Sequence, residues 1–183
     1  MKIKSNDWLF ITGKANSGKT HWVRAHAKVV PAGRLYILDF NRNDYQDMKA
    51  AANVWDYEGG GQEECEDCIN TIYSIGNCFS VFDEADNYFR NKTPSTTRFC
   101  TTARNRGIGS MVIGKRPMAV HPDYRTRFNY LVLFQNTSPD DIEQLERWAA
   151  TGAGSLEILR TLEQGQHIIV DLDHGVISPV KRL

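Results

Sequence analysis

No apolar run in the 183 residues approaches the roughly 18 or more that a bilayer-spanning helix requires. The opening stretch Met1–Asp7 also lacks the apolar centre of a secretory signal, so a cytosolic location is expected. Neither sign of charge dominates. The 22 lysines and arginines are balanced by 22 aspartates and glutamates, which leaves any nucleic-acid or membrane contact to a local patch or a ring of subunits. Cysteine is scarce. Cys65, Cys68, Cys78 and Cys100 include one Cys-x-x-Cys, but it sits among Glu63, Glu64, Glu66 and Asp67 with no second metal-ligating pair downstream. Reduced thiols are expected there rather than a zinc site. No internal repeat, low-complexity tract or long linker interrupts the chain, and its length suits one substantial core, so residues 1–183 are expected to form a single domain.

What is present begins with the apolar run Trp8-Leu9-Phe10-Ile11 and, just after it, Gly13-Lys14-Ala15-Asn16-Ser17-Gly18-Lys19-Thr20. The second segment fits the phosphate-binding pattern G-x-x-x-x-G-K-[ST] at every fixed position. Gly13 and Gly18 allow the backbone to curl so that successive N–H groups face an anion, and the expected cradle runs from Gly13 through His21. A helix opens near Lys19 with its positive end toward the same phosphates. Lys19 is expected to reach the β- and γ-phosphates, and the Thr20 hydroxyl to ligate Mg²⁺. The ligands implied are ATP and Mg²⁺. A glycine-rich turn between strand and helix is the plain alternative.

Short apolar runs recur at Trp8–Thr12, Leu35–Asp39, Val54–Tyr57, Phe79–Asp83, Ser110–Gly114 and Tyr130–Phe134. Apolar throughout and alternating with helical stretches, they predict buried parallel strands in a doubly wound α/β sheet, with the ligand at their carboxyl ends. Helices are expected at Lys19–Val29, Asp44–Ala52, Gln62–Ser74, Asp86–Arg90, Ser95–Asn105 and Ser155–Glu163. Another starts at Ser138-Pro139-Asp140-Asp141, where a capping serine, a first-turn proline and two acids coincide. The tail reads as a β-hairpin, Gln166–Asp171 with Gly175–Pro179, closed around Leu172–Gly175.

A second chemical signature is Cys78-Phe79-Ser80-Val81-Phe82-Asp83-Glu84, an apolar strand ending in two carboxylates. It has the form of a Walker B element. Asp83 would order the Mg²⁺ shell, and Glu84, turned the other way, would position and deprotonate a water attacking the γ-phosphate. Acids that merely cap the next helix are the structural alternative.

The third is Ala103-Arg104-Asn105-Arg106-Gly107-Ile108, the strand Gly109–Gly114, then Lys115-Arg116-Pro117. With the two Walker elements it resembles the FtsK/HerA superfamily of DNA-pumping ATPases, whose motif reads roughly A-R-x-x-G-I, an apolar strand, then Q-R-P. The segments Asn136–Asp141 and Leu38–Tyr45 are also similar to the family's, so the resemblance runs from Trp8 to about Asp141. Small size points within the superfamily to the genome-packaging ATPases of membrane-containing icosahedral viruses. The resemblance implies a P-loop NTPase fold of RecA/FtsK type and a homo-oligomeric ring, usually a hexamer, around double-stranded DNA. It also implies location in the host cytoplasm or with the virion, and partners in a capsid or viral membrane vertex.

In such a ring Lys19, Thr20, Asp83 and Glu84 serve one face of a shared site, and an arginine from the next subunit meets the γ-phosphate. Arg104 and Arg106 are the candidates by motif position, with Arg125 and Arg127 as outsiders. A solvated charge is the alternative for each. Lys115 stands where the family has a sensor glutamine; an ammonium only donates, so its water-orienting role is in question, and it could instead pair with Asp39 or Glu84. DNA contact is expected from the polar stretch Arg90–Arg98, through Arg90, Lys92 and Arg98.

Overall fold

The computed structural model describes residues 4–31, 33–39, 44–49, 52–56 and 62–183. The six apolar runs form parallel strands: β1 (Trp8–Thr12), β2 (Leu35–Asp39), β3 (Asn53–Asp56), β4 (Phe79–Phe82), β5 (Gly109–Gly114) and β6 (Tyr130–Phe134). The chain then turns back through β7 (Gln166–Asp171), antiparallel to β6, with β8 (Val176–Ile177) and β9 (Lys181–Arg182) both paired to β7. The sheet order is β3-β2-β4-β5-β1-β6-β7-β8. β1 therefore lies between β5 and β6, and the loop that follows it emerges at the carboxyl edge in the middle of the sheet.

Both sheet faces are dry, which is why the strands read as apolar runs rather than alternations. In β1, Trp8 and Phe10 point to one core and Leu9 and Ile11 to the other. The first core is covered by α2 (Gln62–Ile75), α3 (Asp86–Phe89), α4 (Pro94–Thr102), α5 (Pro122–Arg125) and α6 (Pro139–Ala149), with Phe89, Phe99, Tyr124 and Leu145 among the residues they add. The second is covered by α1 (Lys19–Ala27), which contributes Trp22, Val23 and Ala27, and by Tyr45 and Met48. Helices thus flank both faces, as expected.

Several boundaries differ from the sequence expectation. Among the described residues of the expected helix Asp44–Ala52 the structure forms a 3₁₀ turn at Gln46–Met48 and no α-helix; Ala50 and Ala51 lie outside the described residues, as do Phe40–Asn43 and Tyr57. The helix expected to reach Asn105 ends at Thr102 and tightens into a 3₁₀ turn, Ala103–Arg106, stopped by Gly107 at φ 71°. Ser155–Glu163 holds a 3₁₀ turn at Glu157–Arg160 instead of an α-helix. Its buried residues Leu156, Leu159 and Leu162 repeat every third position, the period of a 3₁₀ helix. Thr93 caps α4 in a reciprocal capping box with Thr96. All four cysteines are reduced thiols, as expected.

Candidate nucleotide site

The loop from Gly13 to Gly18 is shaped by backbone angles that most residues avoid. Gly13 has φ 148°, and a β-carbon there would lie 2.7 Å from Phe134 Cβ, because the loop leans on the end of β6. Lys14 N donates to the Gln135 carbonyl at 2.8 Å, and Gly165 N to the Ser17 carbonyl at 3.0 Å, pinning the loop from both sides. Asn16 (φ 59°) and Gly18 (φ 109°) complete the curl. Gly18 precedes α1, which has no side-chain cap and no acid in its first turn. The amides at that helix start keep their partial positive charge for a ligand. Lys19 Nζ folds over the loop and donates to the carbonyls of Gly13 and Lys14, both at 2.8 Å. Burial lowers the pKa of this ammonium, opposed by the charges of Asp83 and Glu84. The buried hydroxyls of Thr12 and Ser17 have no hydrogen-bond partner among the described residues.

Lys19, Thr20, Asp44, Asp83, Glu84 and Lys115 line one cavity of about 250 Å³. A second, of about 380 Å³, lies against Lys14–Ser17 with Gln135 and Gln164 on its wall. His21 is exposed in the first turn of α1 and lines neither.

Asp83 is the first residue past β4 and is buried. Its Oδ1 accepts from Glu84 N at 2.9 Å; its buried Oδ2 accepts nothing among the described residues. Burial, only partly offset by that amide bond, pushes the carboxyl up to about 7, with the charges of Glu84, Asp44 and Asp39 adding to the rise. Carboxylate oxygens of Asp39, Asp44 and Asp83 lie within 4.8 Å of one another. Asp39 reaches the site because β2 pairs with β4, placing Leu38 beside Phe82 and the two strand ends side by side. Three converging acids and an unsatisfied buried oxygen suit a divalent cation, with Thr20 as the hydroxyl across the same cavity.

Glu84 adopts φ 53°, a left-handed conformation rare for a non-glycine residue. That turn lets consecutive acids face different ways. Glu84 Oε1 lies 2.9 Å from Lys115 Nζ at the end of β5, and this bond raises the Lys115 pKa. The partner anticipated for Lys115 is therefore Glu84 rather than Asp39. The next residue, Arg116, grips the buried Asp141 at the start of α6, with Nε 3.0 and 3.2 Å from its two oxygens.

The other candidates do not join this cavity within the subunit. Arg104 and Arg106 precede β5 and so lie at the opposite, amino edge of the sheet. Arg104 binds the Arg127 carbonyl and Asn129 Oδ1, and burial lowers its pKa. Arg106 donates to the carbonyls of Tyr73 and Ser74 at 2.8 and 3.1 Å and stacks on the Tyr73 ring. Arg125 donates to Val120 and Pro117 carbonyls, both at 3.1 Å, and Arg127 is exposed. Arg90 lies 3.8 Å from Asp86, Lys92 pairs with Asp123, and Arg98 donates to Asn70 Oδ1 at 2.7 Å.

No family model matches this sequence, and no curated protein matches it. Solved structures do match by shape. The genome packaging NTPase B204 from Sulfolobus turreted icosahedral virus 2, in complex with sulfate, superposes with a TM-score of 0.80 at 17% identity, covering 98% of each chain. B204, the DNA-packaging ATPase from Sulfolobus turreted icosahedral virus, gives 0.79 at 19% identity over 97% of this chain and 98% of the other. The fold is shared with these solved NTPases. The pCW3 conjugation coupling protein TcpA, with ATPγS, shares it at a TM-score of 0.67 and 12% identity over 92% of this chain and 59% of its own. Asp39 and Asp44 are the site residues that motif reading did not assign to a cation; for Asp39 the signal was an aspartate closing an apolar run, as Asp83 does, and Asp44 carried none.

Proposed function

We propose that this protein hydrolyses ATP with Mg²⁺ and uses the energy to move double-stranded DNA, packaging a viral genome into a preformed capsid as a homo-oligomeric ring, in keeping with the hexamers of the resembling family. One observation carries the reading: the loop lysine, the Thr20 hydroxyl, the Asp83–Glu84 strand end and Lys115 share a single cavity. Solved neighbours of the same fold include B204 in complex with ATPγS. The amides of Gly13–Thr20 would cradle the phosphates and Lys19 would shift from the loop carbonyls to phosphate oxygens. Thr20 and Asp83 would hold the cation, which supplies charge neutralisation across the β- and γ-phosphates. Glu84 would accept the proton of the attacking water.

Glu84 is tied to Lys115, so its proton-accepting oxygen must be released for turnover. That restraint favours a second reading, an ATP-gated assembly or secretion protein of phage morphogenesis with slow turnover indifferent to DNA. Steady-state phosphate release with and without linear duplex separates the two. Strong stimulation by duplex is expected; slow turnover unchanged by duplex would overturn the motor in favour of the switch.

A further inference from the structure

A recess of about 510 Å³ on the helical face below α3 is lined by Arg90, His121, Arg125, Gln144 and Arg147, with no carboxylate among its lining residues. Three of its lining residues already have carboxylate partners just outside it: Arg90 with Asp86 at 3.8 Å, Arg147 with Glu143, and His121 with Asp123 at 4.0 Å. Arg125 has no such partner among the described residues. Its Nε and one terminal nitrogen are held by the Val120 and Pro117 carbonyls, and its guanidinium lies 5.2 Å over the Trp148 ring. The remaining terminal nitrogen has no hydrogen-bond partner among the described residues. A guanidinium fixed in this way presents its remaining terminal nitrogen at little entropic cost, and the two exposed rim arginines would exchange their paired carboxylates for phosphate.

We propose that this recess seats backbone phosphates of duplex DNA, an inference that rests on the DNA reading above and names where that substrate is gripped. Arg125 is the fixed anchor, Arg90 and Arg147 reach the flanking phosphates, and the Gln144 amide donates to a phosphate oxygen. Met118, exposed beside them, offers an apolar contact for a sugar.

Its walls continue from the nucleotide site. Arg90 closes the short helix that starts two residues after Glu84, and the Phe89 carbonyl in that helix accepts from His121 N at 2.8 Å. Met118 follows Lys115 by three residues, and Arg116 fixes Asp141, three residues before Gln144. Movement of the Glu84–Lys115 pair on nucleotide binding is thereby carried into the recess, so duplex affinity and nucleotide affinity are coupled, each altering the other by the same factor.

The test uses fluorescence anisotropy of a labelled mixed-sequence duplex of roughly 30 base pairs, titrated with the full chain in ATPγS or ADP between about 50 and 200 mM NaCl. Arg90→Gln/Arg147→Gln alters two exposed side chains and should keep the wild-type melting temperature. Its salt slope should be shallower by about 0.9 for each phosphate no longer neutralised, about two for the pair, with affinity down at least tenfold. Arg125→Lys keeps the charge and removes the carbonyl-fixed terminal nitrogen, and should also weaken binding. A wild-type slope and affinity in the well-folded double variant would overturn the recess while leaving the motor reading intact. A wild-type chain that binds no duplex in either nucleotide would sink both. Displacement of duplex by a few millimolar inorganic phosphate at constant ionic strength would assign the recess to free phosphate and overturn the duplex assignment.

Discussion

Asp83→Asn should make the protein more stable while ending its turnover. The carboxyl is buried against two other acids and titrates near 7, against an ordinary value of 3.8. A rise of that size, at about 1.4 kcal/mol for each pH unit, puts the cost of ionising it at about 4 kcal/mol above neutral pH. Between those two values the folded state binds the proton that the unfolded chain has released, so wild-type stability falls as pH rises through the window. Asparagine keeps the oxygen that accepts from Glu84 N and places an N–H near Asp39 and Asp44. It still buries a polar group, so a net gain of about 1–3 kcal/mol at pH 8 is expected, or about 2–10 °C in melting temperature for a chain of this size. Thermal unfolding of both proteins at pH 5 and pH 8, with EDTA and then with MgCl₂, reads this out. The variant's advantage should be large at pH 8, small at pH 5, and eroded by Mg²⁺, which stabilises only the wild type. A variant less stable than wild type at pH 8 in EDTA, or an advantage independent of pH, would refute the account of a carboxylate cluster awaiting a cation.

Lys19→Ala should remove nucleotide binding, read by fluorescent-ATP titration, whereas Glu84→Gln should bind ATP normally and hydrolyse it at least a hundredfold more slowly; unchanged turnover in Glu84→Gln would show that another group activates water. Lys115→Gln frees Glu84 from an ion pair whose lysine is exposed and whose carboxylate is partly buried, so stability should change by about 1 kcal/mol while turnover rises; a tenfold fall in kcat would instead place the ammonium on the phosphate. Arg106→Ala subunits mixed with Glu84→Gln subunits should recover activity, since each supplies the half-site the other lacks. Absence of recovery would leave Arg106 to its contacts with Tyr73 and Ser74.

Local sequence settled the parts whose chemistry is carried by neighbours along the chain. The P-loop spacing requires glycine where the backbone turns left-handed and meets β6, and the apolar runs had to be strands buried on both sides. Ser138 and Pro139 marked the start of α6 because a helix start is a matter of a few consecutive residues. Weakly patterned stretches were misread where tertiary packing chose the period, as in Leu156, Leu159 and Leu162, whose spacing of three became a 3₁₀ turn. Strand order, which no local pattern encodes, decided the rest. It set Asp39 and Asp44 beside Asp83, brought Lys115 onto Glu84 and gathered three arginines under α3. Those contacts join residues tens of positions apart, and only closing the chain into one sheet brings their charges within reach of each other.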